Sequence, residues 1–224
     1  MEHTKQELRG ANSWMEQLTP DQKEGLISSS TILKFRRGET IIKQGTLASQ
    51  IMFLEEGMAK LNFMEADKDT TFSFATNGDF IGLMCSFVQK RLEFSAIAIT
   101  NATVRIIDRE VFEKSIRENG KFAVYIVKLM SELTKGVVHT LISLSHKNVS
   151  GALCTLLLSL SRVYASNTFQ IPFTRDEMAA ALGYSKESII NTLSEFHRDK
   201  IINISGRNLV ILQPETLKII SAKG

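Results

Sequence analysis

The chain reads as an α+β protein: an N-terminal antiparallel β-barrel of jelly-roll type, a long dimerisation helix and a C-terminal winged helix-turn-helix. Three observations predict this. Between 31 and 107, short β-branched and aromatic runs alternate with glycine or polar turns. Beyond 108, apolar residues recur at alternating three- and four-residue steps. From 174 onward, two short helical patterns are followed by two strands joined around Gly206.

Residues 11–30 carry a helical pattern, with Trp14, Leu18, Leu26 and Ile27 placed around the helix-starting "TPDQ". The strand runs "TILKF", "TIIKQG", "QIMFLEEG", "MAKLNFM", "TTFSFATNGDFIG", "EFSAIAIT" and "ATVRIID" follow. Their length and spacing are those of an antiparallel barrel or sandwich, with Gly57 and Gly82 among the turn glycines. The barrel and its N-terminal helices make a first domain, 1–108.

A long helix is expected over 109–147. Ile126, Met130, Leu133, Val137, Thr140 and Leu144 form a coiled-coil seam along it, the expected dimer interface. Thr140 reads there as a tolerated small residue. Tyr125, Leu129 and Val138 lie off the seam and would face the barrel. "HKNVSG" at 146–151 interrupts the seam and marks a hinge, with Asn148 or Ser150 able to cap the next helix. Domain 148–224 then runs helix 149–164, the turn "ASNT", the strand "FQIPF", the helix pair and the hairpin.

In the pair, Thr174 is a good N-cap and Glu177 completes a capping box. Met178, Ala179, Ala181 and Leu182 supply a packing face, with Ala179 and Ala180 small enough for close helix approach. Gly183 suits the left-handed turn, Ser185 caps the second helix, and Ile189, Leu193 and Phe196 point inward. The other side shows Lys186, Glu187, Ile190, Asn191 and Ser194. Glutamate can accept from cytosine N4, asparagine can bond adenine bidentately, and lysine can reach guanine or a phosphate. A lone helix would present such a face to water; followed by a hairpin carrying "SGRN", it points to double-stranded DNA.

Bulk properties agree. The chain has 224 residues, 43% hydrophobic and 23% charged, with net charge +3. Residues 146–224 carry nine Lys or Arg against six Asp or Glu, and 1–145 carry eighteen of each, so the excess sits in the last third. The longest apolar run, "GALCTLLLSL", is too short to span a bilayer, and "MEHTKQELRG" has no apolar core for a secretory signal. Two cysteines, Cys85 and Cys154, lie at no metal or redox spacing, so a cytoplasmic protein with reduced thiols and no membrane partner is expected. Cys154 reads as core. Cys85 reads as a small buried hydrophobe or a redox handle.

Barrel, long helix and winged helix in this order resemble the Crp/Fnr family of bacterial transcription regulators, over about residues 20–212. "RRGETIIKQGTLASQIMFLEEGMAKL" and "NGDFIGL" are similar to the family's barrel, and "FTRDEMAAALGYSKESIINTLSEFHRDKIINISGR" to its DNA-reading unit. The resemblance implies a homodimer on a pseudo-palindromic site, with RNA polymerase as a further partner. It implies that Thr174, Arg175, Ser185, Lys186, Glu187, Ile190, Asn191 and Arg207 lie at the DNA, Arg175 on a phosphate and Glu187 on a cytosine edge. Lys186 replaces a common arginine; Asn191 stands where many members carry a base-reading arginine, a departure that alters the expected half-site. Arg207 would meet a phosphate from the wing.

The effector side departs further. Nucleotide-binding members carry a glutamate for the ribose where this chain has Leu83, and an arginine for the cyclic phosphate where it has Phe94, before Ser95 and Ala96. The hydroxyl pair that meets the adenine aligns with Val137 and Val138. The implied pocket is Gly82, Leu83, Met84, Phe94, Ser95 and Ala96 from the barrel, closed by the two valines. A buried phosphate needs a countercharge, so cyclic AMP is not expected, although Arg91 lies nearby in sequence. An iron–sulfur cluster asks for about four thiolates and is not expected either. Haem stays open, with His139, His146, Met84 and Cys85 as candidate ligands, each more readily read as a surface histidine or packed sulfur.

The competing class is a cupin-like barrel enzyme with an accessory helical domain. Its metal site needs histidines on barrel strands, whereas His3, His139, His146 and His197 all lie elsewhere. No phosphate loop or catalytic triad pattern is present, so no catalytic residue, metal site or enzymatic activity is expected.

Overall fold

The computed structural model describes residues 13–224 except 66, 67, 89, 90, 147 and 165, with backbone alone along 65, 68–70, 72, 136–146 and 163. Contacts divide the chain into two compact units, 1–136 and 137–224. The division falls upstream of the 146–151 segment that the sequence suggests as a hinge.

The first unit opens with a 3-10 turn, Met15–Gln17, and helix α1, Pro20–Ser28. The single helical stretch expected over 11–30 is therefore broken, and residues 11 and 12 lie outside the described residues. Leu18 is extended, and Thr19 starts a new helix with Pro20 in its first turn, where the missing N–H costs nothing. A reciprocal capping box between Thr19 and Gln22 satisfies two further donors.

Eight strands follow: β1 Thr31–Phe35, β2 Thr40–Ile42, β3 Gln50–Glu56, β4 Met58–Glu65, β5 Lys68–Thr76, β6 Phe80–Ile81, β7 Ser95–Ala98 and β8 Ala102–Asp108. They form two four-stranded antiparallel sheets, β1-β8-β3-β6 and β2-β7-β4-β5, the double-sheet jelly-roll arrangement. Gly57 turns β3 into β4 at φ +96°, where a Cβ would also strike the Asn101 carbonyl.

Strand β3 is covered on both faces, which explains its unbroken run "IMFL". Met52 and Leu54 enter the inter-sheet core with Ile42, Phe94, Ala96 and Val104. Ile51 and Phe53 alternate to the other side, as strand geometry requires, and join Trp14, Phe80, Phe112 and Phe122. Trp14 stands 5.6 Å from Phe53 and 5.5 Å from Phe80, both edge-on. Full burial of each such ring contributes about 1.5–3 kcal/mol.

The helix expected over 109–147 is two: α3, Arg109–Glu118, and α4, Gly120–His146; a six-residue helix, α2, Leu83–Val88, also follows β6. Asn119 makes the break. Its backbone is extended (φ −131°, ψ 98°), and its Oδ1 accepts from Phe122 N–H at 3.1 Å, capping α4. Its Nδ2 donates to the Gln17 carbonyl and to Gln22 Oε1, 3.0 and 2.8 Å away. Phe122, Tyr125, Ile126 and Leu129 form the buried stripe of α4, while Val124 and Val127 are exposed.

The second unit comprises α5 Val149–Val163, β9 Thr168–Gln170, α6 Arg175–Leu182, α7 Lys186–Arg198, β10 Ile202–Ser205, β11 Asn208–Ile211 and α8 Pro214–Lys223, beyond the last turns of α4. Its sheet order is β10-β11-β9, so the wing hairpin is extended by the short strand before the helix pair. Asn148 caps α5 by accepting from Gly151 N–H at 2.9 Å. Leu153, Cys154 and Leu157 of α5 are fully buried, Cys154 as a core residue. Helix α8, which the sequence does not announce, lies on α5: Leu217 is buried and Ser221 Oγ is 2.8 Å from Thr155 Oγ1. Among the described residues no helix is long and apolar enough to cross a membrane.

Candidate nucleic-acid interface

Local chemistry builds the helix pair. Thr174 Oγ1 accepts from Glu177 N–H at 3.2 Å, and Glu177 Oε2 accepts from Thr174 N–H at 2.7 Å. Helix α6 ends at Gly183 in the left-handed conformation, φ +75°, and Ser185 begins α7 by accepting from Ser188 N–H at 3.1 Å. Met178, Ala179 and Leu182 of α6 are buried, as are Ile189, Leu193 and Phe196 of α7. Ala180 is exposed and Ala181 half-buried, so of the three alanines only Ala179 allows the close approach expected of both Ala179 and Ala180.

Lys186, Glu187, Ile190, Asn191 and Ser194 recur at helical spacing on the outer face of α7 and are exposed, Ile190 at 41%. Arg175 and Arg207 belong to the same end of the unit. Arg175 Nη2 donates to the Gly206 carbonyl at 3.0 Å, tying the start of α6 to the wing turn. Burial, and then the neighbouring charge of Arg207, push the Arg175 guanidinium below its usual pKa. A guanidinium nevertheless keeps its proton in a protein. Among the described residues no carboxylate pairs with either arginine, so two adjacent cations are left to attract an anion. The structure thus brings Thr174, Arg175, Ser185, Lys186, Glu187, Ile190, Asn191 and Arg207 to one end of the second unit.

Two contacts of α7, one at each of its ends, are not announced by the sequence. Lys186 Nζ is 2.8 Å from Asp176 Oδ2, which raises the lysine pKa by hydrogen bond and charge. His197 Nδ1 accepts from Ile204 N–H at 3.2 Å, fastening the end of α7 to β10. Neither is visible in spacing, because each depends on how the helices pack.

The barrel residues expected around an effector divide between two cores. Leu83 is buried in the cluster with Trp14, whereas Phe94 and Ala96 fill the inter-sheet core. Gly82 lies against Leu92 and Phe94, Met84 is exposed, and Ser95 Oγ accepts from Gln44 N–H at 3.0 Å. Val137 and Val138 fall outside the residues whose side chains are described, as do Thr140, Leu144, His139 and His146. Arg91 Nη1 is spent on the Gly45 carbonyl at 2.7 Å. A cavity of about 450 Å³ opens on this unit between Ile42, Lys43, Thr46, Leu47, Met52 and Leu92, of which Ile42 and Leu92 also flank Gly82. Of the seam residues, Ile126 is buried in its own unit, and Met130 and Leu133 are partly buried against the same cluster. No group of residues able to hold a metal occurs among the described residues.

Comparison with known proteins places these two units. The cyclic nucleotide-binding domain model matches residues 32–119, and the Crp-like helix-turn-helix domain model matches 151–220. The chain is 23% identical over 202 residues to the anaerobic regulatory protein of Bacillus subtilis, covering 87% of this chain and 85% of that one. It is 25% identical over 183 residues to the fumarate and nitrate reduction regulatory protein of Vibrio cholerae, covering 79% and 73%. The fold is similar to that of FixK2 from Bradyrhizobium japonicum, with a TM-score of 0.79 at 21% identity over 87% of this chain and 98% of that one.

Proposed function

The chain belongs to the Crp/Fnr family of DNA-binding transcription regulators, and from that premise we propose a homodimer that reads a pseudo-palindromic duplex through Glu187, Ile190 and Asn191 of α7. One observation carries this: the Arg175–Gly206 hydrogen bond sets two guanidinium groups, Arg175 and Arg207, which meet no carboxylate among the described residues, beside the start of the second helix. The arginines hold phosphates and fix the register; the helix face reads base edges. Two such helices related by a two-fold axis would enter successive major grooves about 34 Å apart. The dimer would form along α4, whose Val124 and Val127 are exposed and whose Met130 and Leu133 are only partly covered by their own unit.

The first unit is of the cyclic-nucleotide-binding type, but its effector is one other than cyclic AMP. Leu83 and Phe94, apolar and buried, hold the places where a glutamate and an arginine would meet the nucleotide. An effector would act by biasing the segment that joins the two units between a placement of α7 that fits both grooves and one that does not. A cytoplasmic location and contact with RNA polymerase accompany this role.

Fluorescence anisotropy of the purified chain on labelled genomic duplexes, with and without cyclic AMP, tests the proposal. Saturable binding preferring some duplexes, unchanged by cyclic AMP, is expected. A tenfold or greater tightening with cyclic AMP contradicts the effector assignment, and uniform weak binding to all duplexes contradicts base reading.

A further inference from the structure

Asp176 takes no part in the function just described, yet it lies next to Arg175 in sequence and to Lys186 in space. It is the second residue of α6, and its side chain is 68% exposed. A carboxylate that faces a polyanion opposes binding, so its presence beside Arg175 calls for a reason. Its Oδ2 reaches across the helix pair to the ammonium of Lys186, the first residue of α7, at 2.8 Å. The other nearby acid of α6, Glu177, is already engaged with the backbone N–H of Thr174.

Lysine on a flexible four-carbon stem is a point charge that serves any phosphate within reach. A cation so placed at the start of α7 would add sequence-independent affinity or pair with guanine O6 and N7. Pairing with Asp176 competes with both options and shifts reading toward the neighbouring side chains. We propose that Asp176 is a specificity-determining residue: by holding the Lys186 ammonium it directs base reading to Glu187, Ile190 and Asn191. The half-site chemistry follows from those three groups. The carboxylate accepts from cytosine N4, the amide pairs with adenine N6 and N7, and the exposed isoleucine suits a thymine methyl. Asp176 acts through Lys186 and need not touch DNA itself. This inference rests on the DNA-reading role given above.

The test is a double-mutant cycle of Asp176→Asn, Lys186→Met and the double variant, with Asp176→Glu as the conservative control. Each is first checked for unchanged thermal unfolding. Affinities are measured across a salt series for the duplex that the wild-type chain enriches from a randomised library, and for a scrambled duplex. Asp176→Asn is expected to steepen the dependence of log K on log salt by about 0.9, one phosphate contact. It should also tighten the scrambled duplex more than the enriched one, and a library selection should now gain guanine at one half-site position. Asp176→Glu should keep the wild-type slope, and the double variant should match Lys186→Met alone. A gain that persists without Lys186 overturns the proposal, since Asp176 would then act by its own charge. An unchanged slope in Asp176→Asn overturns it as well. If the wild-type chain enriches no duplex, the DNA-reading role itself fails and takes the proposal with it.

Discussion

Arg175 donates from Nη2 to the carbonyl of Gly206 at 3.0 Å, so that a cation at the start of the first helix of the pair is fastened to the turn of the wing. The bond joins two segments thirty-one residues apart in sequence and sets Arg175 beside Arg207. A phosphate bound beside them would relieve their mutual repulsion.

Loss of this cation should weaken binding without changing what is read. Arg175→Gln is expected to reduce affinity for specific and scrambled duplexes alike and to lower the salt slope by about one. Equilibrium binding at several salt concentrations checks this; a loss confined to the specific duplex would make Arg175 a base reader.

The capping box of α6 should contribute measurably to the stability of the second unit. Thr174→Ala removes the acceptor for Glu177 N–H and should cost about 1 kcal/mol. Urea unfolding followed by far-UV circular dichroism measures it, and a change within a few tenths of a kcal/mol would show that water replaces the cap.

Lys200 follows α7 at φ +55°, the one non-glycine residue in the left-handed region among those described. A side chain there costs roughly 1–2 kcal/mol, partly offset by the greater unfolded-state freedom of glycine. Lys200→Gly should therefore stabilise by about 0.5 kcal/mol, and Lys200→Val should destabilise. Midpoints of unfolding for the two variants should move in opposite directions.

Burial, the largest cause, pushes the half-buried thiol of Cys85 up; a hydrogen bond with the Glu93 backbone opposes the shift and the Glu93 charge adds to it. The neutral thiol is the form the fold favours. Its contribution is present below the ordinary thiol range and lost as pH rises through the raised pKa. Alkylation at pH 7 should be slower than for a free thiol and should accelerate only at higher pH, the thiolate being the reactive species. Fast modification at neutral pH would instead support a redox role for Cys85.

Legibility in the sequence followed locality. The strands from Thr31 to Asp108 announced themselves by short β-branched runs between turns, and the helix pair by caps that lie within three residues of their partners. The division of 109–147 into two helices was not legible, because Asn119 is held by Gln17 and Gln22, about a hundred residues away. Helix α8 was marked by Pro214 and Leu217 but has too few apolar positions to stand out before α5 is seen beneath it. The separate surroundings of Leu83 and Phe94 were hidden for a similar reason. Spacing places both near one turn, but only packing sends one ring toward the sheets and the leucine toward Trp14. Around the helix pair the caps were legible and the tertiary pairings were not: the Asp176–Lys186 contact exists only because Gly183 folds α6 against α7.

The measurement that bears most directly on all of this is selection from a randomised duplex library by the purified chain at one stated salt concentration, repeated with Glu187→Ala. A two-fold symmetric motif with half-sites centred about 10–10.5 base pairs apart is predicted. Its strongest preference should be lost in Glu187→Ala while scrambled-duplex affinity stays within about threefold. An asymmetric motif, no motif at all, or a motif indifferent to Glu187 would contradict base reading by the outer face of α7.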